Sequence, residues 1–390
     1  MEILFVSHKF PPSTGGMEKQ CYELVTGMEK KSKTHRLVFD RKGSKFTFFL
    51  TLGRKIKRVC KENPGINIIY FNDALIACFC SFLNLPKNIA YVVTLHGLDV
   101  VFPSRLYHKY ILTRLNYYHC LIAVSNATAR KAIDSGLDRD KITVIPNGVD
   151  ISMFQEIPEE IFTTWLSEKG ICLSNRKILM LLGRPVKRKG FSWFAGHVFP
   201  LLRQDQFYLI IAGPFHNKIR LQERLIYMLP AIFRNKLMLF SGYFSDEKLL
   251  RKIIYKSENI KHLGRLSYSE IQMLFSRAEA FLMPNIATDG DMEGFGLVCL
   301  EASVNKALVL ASDIDGIPDA IIDGKNGFLL PSNDAGAWAE KLNYMIGERE
   351  HESFNQYRSE FSSFTRANFN WERMVNDYYK VFTGLKSNMK

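Results

Sequence analysis

The sequence predicts an α/β protein of two domains, each built on a parallel sheet covered by helices. Its length, 390 residues, exceeds the roughly 100 to 200 typical of one domain, and 47% hydrophobic against 23% charged residues leaves enough apolar material for two cores. Short apolar runs alternate with helical patterns along the whole chain, as expected of parallel strands joined by crossover helices. The unit that opens the chain, a strand running through a glycine turn into a helix, starts again near the middle.

The first strand is "EILFVSHKF", apolar on both faces as a central parallel strand must be. "PPSTGGMEKQCYELVTGM" then turns through Gly15 and Gly16 into a helix with apolar positions at helical spacing. Further strands are expected at "INIIYF", "YVVTLHG", "LIAVSN" and "ITVIPN", separated by helical stretches such as "NATARKAIDSG". After a linker near Glu168 to Asn175 the pattern restarts with "KILMLLGRPVKRKGFSWF", followed by strands at "FYLIIAG", "LMLF", "IKHLG", "AFLMP" and "ALVLAS". Residues 1–170 and 171–369 therefore read as two Rossmann-like domains. The amphipathic end of the chain, 370–390, is expected to pack back on the first. Ligands of open parallel sheets sit beyond the carboxyl ends of the strands, so two facing sheets would enclose the site in a cleft.

Composition narrows the function. Seven cysteines, an odd number without a Cys-x-x-Cys, read as reduced core residues rather than disulfides or a zinc site. The longest apolar runs, "ILMLL" and "LIACFC", fall far short of the roughly 18 residues that span a bilayer. The N-terminus has neither the basic start nor the length of a signal peptide, so a cytoplasmic location is expected. The formal charge is +13, and between Lys30 and Lys61 twelve Lys or Arg face one acid, Asp40. With "FTFFLTL" inside that window, the segment suits an anionic membrane surface, or equally a solvated basic face beside a buried helix. No stacking or groove-reading motif accompanies the charge, which argues against nucleic acid.

The strand-end loops carry the chemistry. The "STGGM" turn lets backbone amides approach an anion, but it is not Gly-x-Gly-x-x-Gly, which disfavours a dinucleotide dehydrogenase. "GRPVKRKG" sets Arg184, Lys187, Arg188 and Lys189 after the first strand of the second half, where cations suit a diphosphate. "TLHGLD" ends a strand with His96. In "DGDMEGFGLVCLEAS" the pair Asp289 and Asp291 resembles a metal-binding Asp-x-Asp, yet lies in a loop of the second half and reads as a loop feature. The same stretch holds Glu293 and Glu301 eight positions apart. On one helix they would stand roughly 80° around and about 12 Å along from each other, too far for an acid/base pair.

Together "EGFGLVCLEA", "GRPVKRKG", "IPNGVD" and "GIPDAIIDGKNGFLLP", in that family's order, resemble the retaining glycosyltransferases of family 4, which have the GT-B fold of two Rossmann-like domains facing across a cleft. The resemblance implies a nucleotide-diphosphate sugar, UDP- or GDP-linked, as donor substrate, with no cofactor and no metal. It gives Glu293 to hydroxyls of the donor sugar. The amides of Gly294, Phe295, Gly296 and Leu297 go to the sugar and diphosphate, and Glu301 to the ribose. Arg184 and Lys189, helped by Gly15 and Gly16, would hold the diphosphate; His96 would lie near the reacting carbon and Arg265 near the base. The implied reaction moves a hexose or N-acetylhexosamine to a glycan or lipid-linked acceptor in bacterial surface polysaccharide or lipopolysaccharide synthesis. The alternatives are a sugar-nucleotide epimerase of the same fold, or a non-catalytic homologue. The loop "NIATDGDMEGFG" is longer and more acidic than the family's, which leaves the donor sugar open.

Overall fold

A computed structural model describes residues 1–13, 15–41, 43–152, 157–203, 205–215, 228, 230, 245–348 and 351–388. The chain divides into two compact units, Met1–Gly148 with Phe369–Lys390, and Val149–Asn368. The division falls earlier than the expected residue 170 for a packing reason. Phe162, Trp165 and Leu166 of the helix Glu159–Glu168 are buried in the core of the second unit, and Trp165 Nε1 donates to Glu270 Oε1 at 3.0 Å.

The first unit is a sheet of six parallel strands in the order β2-β1-β3-β4-β5-β6: β1 Glu2–Ser7, β2 Lys33–Val38, β3 Ile68–Phe71, β4 Ala90–Leu95, β5 Cys120–Ala123 and β6 Ile142–Val144. Strands β3, β4 and β5 are buried along their whole length, which is why each reads as an unbroken apolar run. Strand β2, "KTHRLV", escaped the sequence reading because it is an edge strand with polar side chains, where solvent replaces the second layer. Its Lys33 and Arg36 pair with Glu2 and Glu29, so part of the basic Lys30 to Lys61 segment is neutralised within the fold.

Two helices from opposite ends of the chain close one face of this sheet. Helix α1, Gly16–Glu29, approaches the terminal helix Trp371–Asn388 so closely that a Cβ on Gly27 would fall 2.5 Å from Val375 Cγ2. Beneath them Tyr70 Oη meets Thr94 Oγ1 at 2.7 Å, Thr94 Oγ1 meets Tyr378 Oη at 2.9 Å, and Gln20 Nε2 donates to Tyr378 Oη at 3.2 Å. All four side chains are fully buried.

Among the described residues the second unit is another six-stranded parallel sheet, ordered β12-β11-β10-β7-β8-β9, from β7 Lys177–Leu182, β8 Phe207–Ala212, β9 Ile260–His262, β10 Ala280–Met283, β11 Leu308–Ser312 and β12 Phe328–Leu330. The short edge strand β12 was not anticipated, and the strand expected at "LMLF", 237–240, lies outside the described residues. From β7 the chain adds β8 and β9 on one side, then returns to place β10 on the other. Neighbouring loops therefore diverge between β7 and β10, the switch point where such sheets bind ligands.

Tyr378→Phe removes the hydroxyl shared by Thr94 and Gln20 and leaves their buried polar atoms short of a partner. It is expected to lower stability by about 1 to 3 kcal/mol, seen as a lower denaturant midpoint at unchanged slope.

Candidate functional site

At the β7 end of the switch point the chain runs through Gly183 to the basic turn ending in Gly190, where φ is +64° and a Cβ would fall 1.9 Å from the carbonyl oxygen of Pro284. Only glycine fits there. The contact, with Ile286 N donating to Arg188 O at 2.9 Å, clamps the loop after β7 to the loop after β10. The side chains of Arg188 and Lys189 are thereby brought against Glu293.

One carboxylate oxygen gathers the cluster. Glu293 Oε2 receives Lys189 Nζ at 2.7 Å, Arg188 Nη1, and Asn285 Nδ2 at 3.5 Å. Arg188 Nε donates to Asp291 Oδ1 at 3.0 Å. The backbone of Glu293 is fixed as well: its N–H donates to Asp315 Oδ2 at 3.1 Å, and its carbonyl accepts from Gly316 N at 3.0 Å. Burial alone would raise the Glu293 carboxyl, but Arg188 and Lys189 outweigh it and hold the group at about 2. Burial lowers Lys189, against the opposing pull of Glu293. Burial raises Asp291 and Asp315. Two cations thus stand against two carboxylates in a nearly closed setting.

The second glutamate stands apart from the first. Gly296, at φ +88°, opens the helix Leu297–Val304 without a side-chain cap, so Glu293 precedes the helix and Glu301 lies in its second turn. Phe295 is buried, Gly294 and Leu297 half-buried. The helix is braced from behind by His351–Asn368, where Ser303 Oγ meets Thr365 Oγ1 at 2.7 Å. Arg184 is exposed directly after Gly183, and Arg265 is exposed in the loop after β9. The structure therefore brings Lys189 to Glu293 and supplies Arg188 as its companion cation.

The remaining expected residues belong to the first unit. Gly15 and Gly16 start α1, with Glu18 Oε2 at 2.5 Å from where a Gly15 Cβ would stand and Lys9 3.6 Å from Glu18 Oε1. A carboxylate of the helix itself occupies the mouth of that turn. His96 follows β4. Its Nε2–H donates to Asn72 O at 2.7 Å, and its backbone N–H meets Asp99 Oδ1 at 3.2 Å. The first unit's switch point lies between β1 and β3, and there His8 Nδ1 contacts Asp73 Oδ2 at 3.1 Å, both buried. Burial would raise Asp73, but His8 holds it below the usual carboxylate range.

A family model described as "Glycosyl transferases group 1" matches residues 167–361, and one described as "Glycosyltransferase Family 4" matches 14–153. The chain belongs to the group 1 glycosyltransferases. Among curated relatives of this glycosyltransferase, an uncharacterized glycosyltransferase of Methanocaldococcus jannaschii is 24% identical, covering 86% of the chain and 81% of the relative. A capsular polysaccharide biosynthesis glycosyltransferase of Staphylococcus aureus is 23% identical, covering 88% and 84%. Among solved structures, Anabaena HepE in complex with UDP-glucose superposes with TM-score 0.72 at 19% identity, over 98% of this chain and all of that one. The fold is GT-B.

Arg188, Asn285, Asp291 and Asp315 are the site residues that sequence reasoning did not assign. Arg188 lies in the basic turn "GRPVKRKG" and Asp291 in the Asp-x-Asp look-alike; their pairing across 103 positions has no local signal. In this glycosyltransferase Arg188→Gln is expected to move the Glu293 carboxyl upward from about 2 toward its ordinary 4.5, followed by side-chain carbon NMR titration. Because the native value is depressed, the stabilisation is present above 4.5 and is lost as pH falls through about 2. An unmoved titration would show that Lys189 alone sets the charge of Glu293.

Proposed function

We propose that this glycosyltransferase is a retaining, metal-independent enzyme that transfers a hexose or N-acetylhexosamine from a UDP- or GDP-sugar to a glycan or lipid-linked acceptor. The observation that carries the reading is the convergence of Arg188 and Lys189 on Glu293 at the β7/β10 switch point. The capsular polysaccharide relative supports bacterial surface polysaccharide synthesis as the setting.

When the bond from the anomeric carbon to the diphosphate oxygen breaks, positive charge grows on the sugar and negative charge on the leaving group. Fixed cations around that leaving group supply the largest electrostatic effect. Lys189 and Arg188 stabilise the departing diphosphate, joined by Arg184 and the helix start at Gly296. Glu293 offers its second oxygen, Oε1, to hydroxyls of the donor sugar, while Glu301 takes the ribose. With Nε2–H committed to Asn72 O, His96 has Nδ1 left for a sugar hydroxyl. In retention the acceptor oxygen bonds to the anomeric carbon on the face the diphosphate leaves, and the acceptor proton passes to a diphosphate oxygen.

A thermal-shift panel of nucleotide sugars is the first test, since a donor that binds only the folded state raises the melting point. NMR of the reaction should then show transfer with the donor's anomeric configuration kept, undiminished by a chelator. Lys189→Met is expected to lower kcat by roughly a hundredfold or more. Conversion of the donor sugar without any acceptor would overturn transfer in favour of epimerisation. The basic segment Lys30 to Lys61 further supports peripheral attachment to the inner face of an anionic membrane; among the described residues no helix is long and apolar enough to cross one.

A further inference from the structure

The apolar surface of the first unit is lopsided. Among its described residues the exposed large hydrophobics are Tyr22, Phe46, Leu50, Leu75, Phe82, Leu106, Tyr110, Ile111 and Tyr117. All but Tyr22 fall between β2 and β5. The strand order explains why they share a side. The step from β1 to β2 runs one way across the sheet, and every later step runs the other. Right-handed crossovers then place α1 on one face, and on the other helix α2 Lys45–Glu62, helix α3 Ala74–Cys80 and the segment from Leu98 to Tyr117.

These pieces pack into a single layer. Phe49 of α2 meets Phe79 of α3 edge-on at 5.3 Å, Tyr118 Oη donates to Ala77 O at 2.6 Å, and the Arg114 guanidinium lies over the Phe82 ring at 4.2 Å.

Within this layer the helix Arg105–Tyr110 has no buried residue. It is tied down on one side only, by Tyr107 Oη donating to Asp99 O at 2.9 Å and His108 Nε2–H to Phe102 O at 2.7 Å. The pairs at i and i+4, Arg105 with Lys109 and Leu106 with Tyr110, are all exposed, Leu106 to 70%. Lys109 Nζ stands 5.2 Å from the Tyr110 ring. A turn that shows solvent two cations beside a leucine and a tyrosine costs apolar exposure without contributing to the core. The same mixture appears on α2, where Phe46 is 71% and Leu50 63% exposed and Arg54, Lys57, Arg58 and Lys61 are exposed as well. The segment 105–117 contains no acid, and α2 contains one, its last residue Glu62, 3.7 Å from Arg58.

We propose that the turn Arg105–Tyr110 is a second membrane-docking element, which together with α2 lays this layer of the first unit on an anionic bilayer. Leu106 and Tyr110 enter the headgroup boundary while Arg105 and Lys109 stay with the lipid phosphates. Two like-charged basic surfaces repel each other, so charge argues against a second copy of the chain as the occupant and for an anionic one. The inference rests on the peripheral attachment proposed above and adds the surface that performs it, independently of which sugar is transferred.

Vesicle flotation at low salt tests it, with vesicles of phosphatidylcholine alone and of phosphatidylcholine mixed with phosphatidylglycerol. The full chain is expected to float only with the anionic vesicles. Leu106→Ser/Tyr110→Ser, which changes no charge and replaces only exposed side chains, is expected to weaken that partition by roughly tenfold or more. Arg105→Gln/Lys109→Gln is expected to weaken it by about fivefold per charge and to flatten its salt dependence. Both variants should keep the wild-type melting point and the thermal shift with donor, which separates failed docking from failed transferase chemistry. Equal flotation of the wild type and Leu106→Ser/Tyr110→Ser would overturn the role of the turn. Capture by single-stranded nucleic acid but not by anionic vesicles would overturn a lipid occupant altogether.

Discussion

One carboxylate oxygen organises the second unit's site. Glu293 Oε2 is the common partner of Lys189, Arg188 and Asn285, and the cluster is gathered from three separate loops. The two cations come from the loop after β7, the amide from the end of β10, and the glutamate from the loop before the helix at Leu297. A buried ion pair draws its strength from completeness, because a charge left alone in a dry setting is costly. The loops must therefore hold this arrangement together or abandon it together. The glycine at 190, pressed on Pro284 O, keeps them close enough to hold it.

The same arrangement keeps the site chemically poised. With Asp291 and Glu293 balancing Arg188 and Lys189, positive charge is held in a nearly closed setting without an uncompensated excess. Asp291 gives Arg188 a second anchor, so Arg188 is held by two carboxylates where Lys189 meets Glu293.

Much of this was legible beforehand where the signal is local. The central strands announce themselves because both their faces are buried. The glycines at 294 and 296 flag the close backbone turn, and Lys189 and Glu293 carry a family pattern. What escaped was what tertiary context decides. Strand β2 is an edge strand disguised as a basic run. The helix Glu159–Glu168 changes unit because Trp165 finds Glu270. Arg188 could not be preferred over its neighbours in "GRPVKRKG" without knowing which way a three-residue turn would point its side chains.

The terminal helix gives the chain an unusual order of assembly. Residues 1–148 supply all six strands of the first unit, but one of the two helices over Tyr70 and Thr94 comes from 371–388. During synthesis that face of the sheet must wait, with α1 in place but not its partner helix, while the whole second unit is translated. The second unit has no such debt, since its sheet and the helix His351–Asn368 all precede the last segment. The half that appears second can therefore be the half that matures first, and the first unit closes only once residues 371–388 have been made.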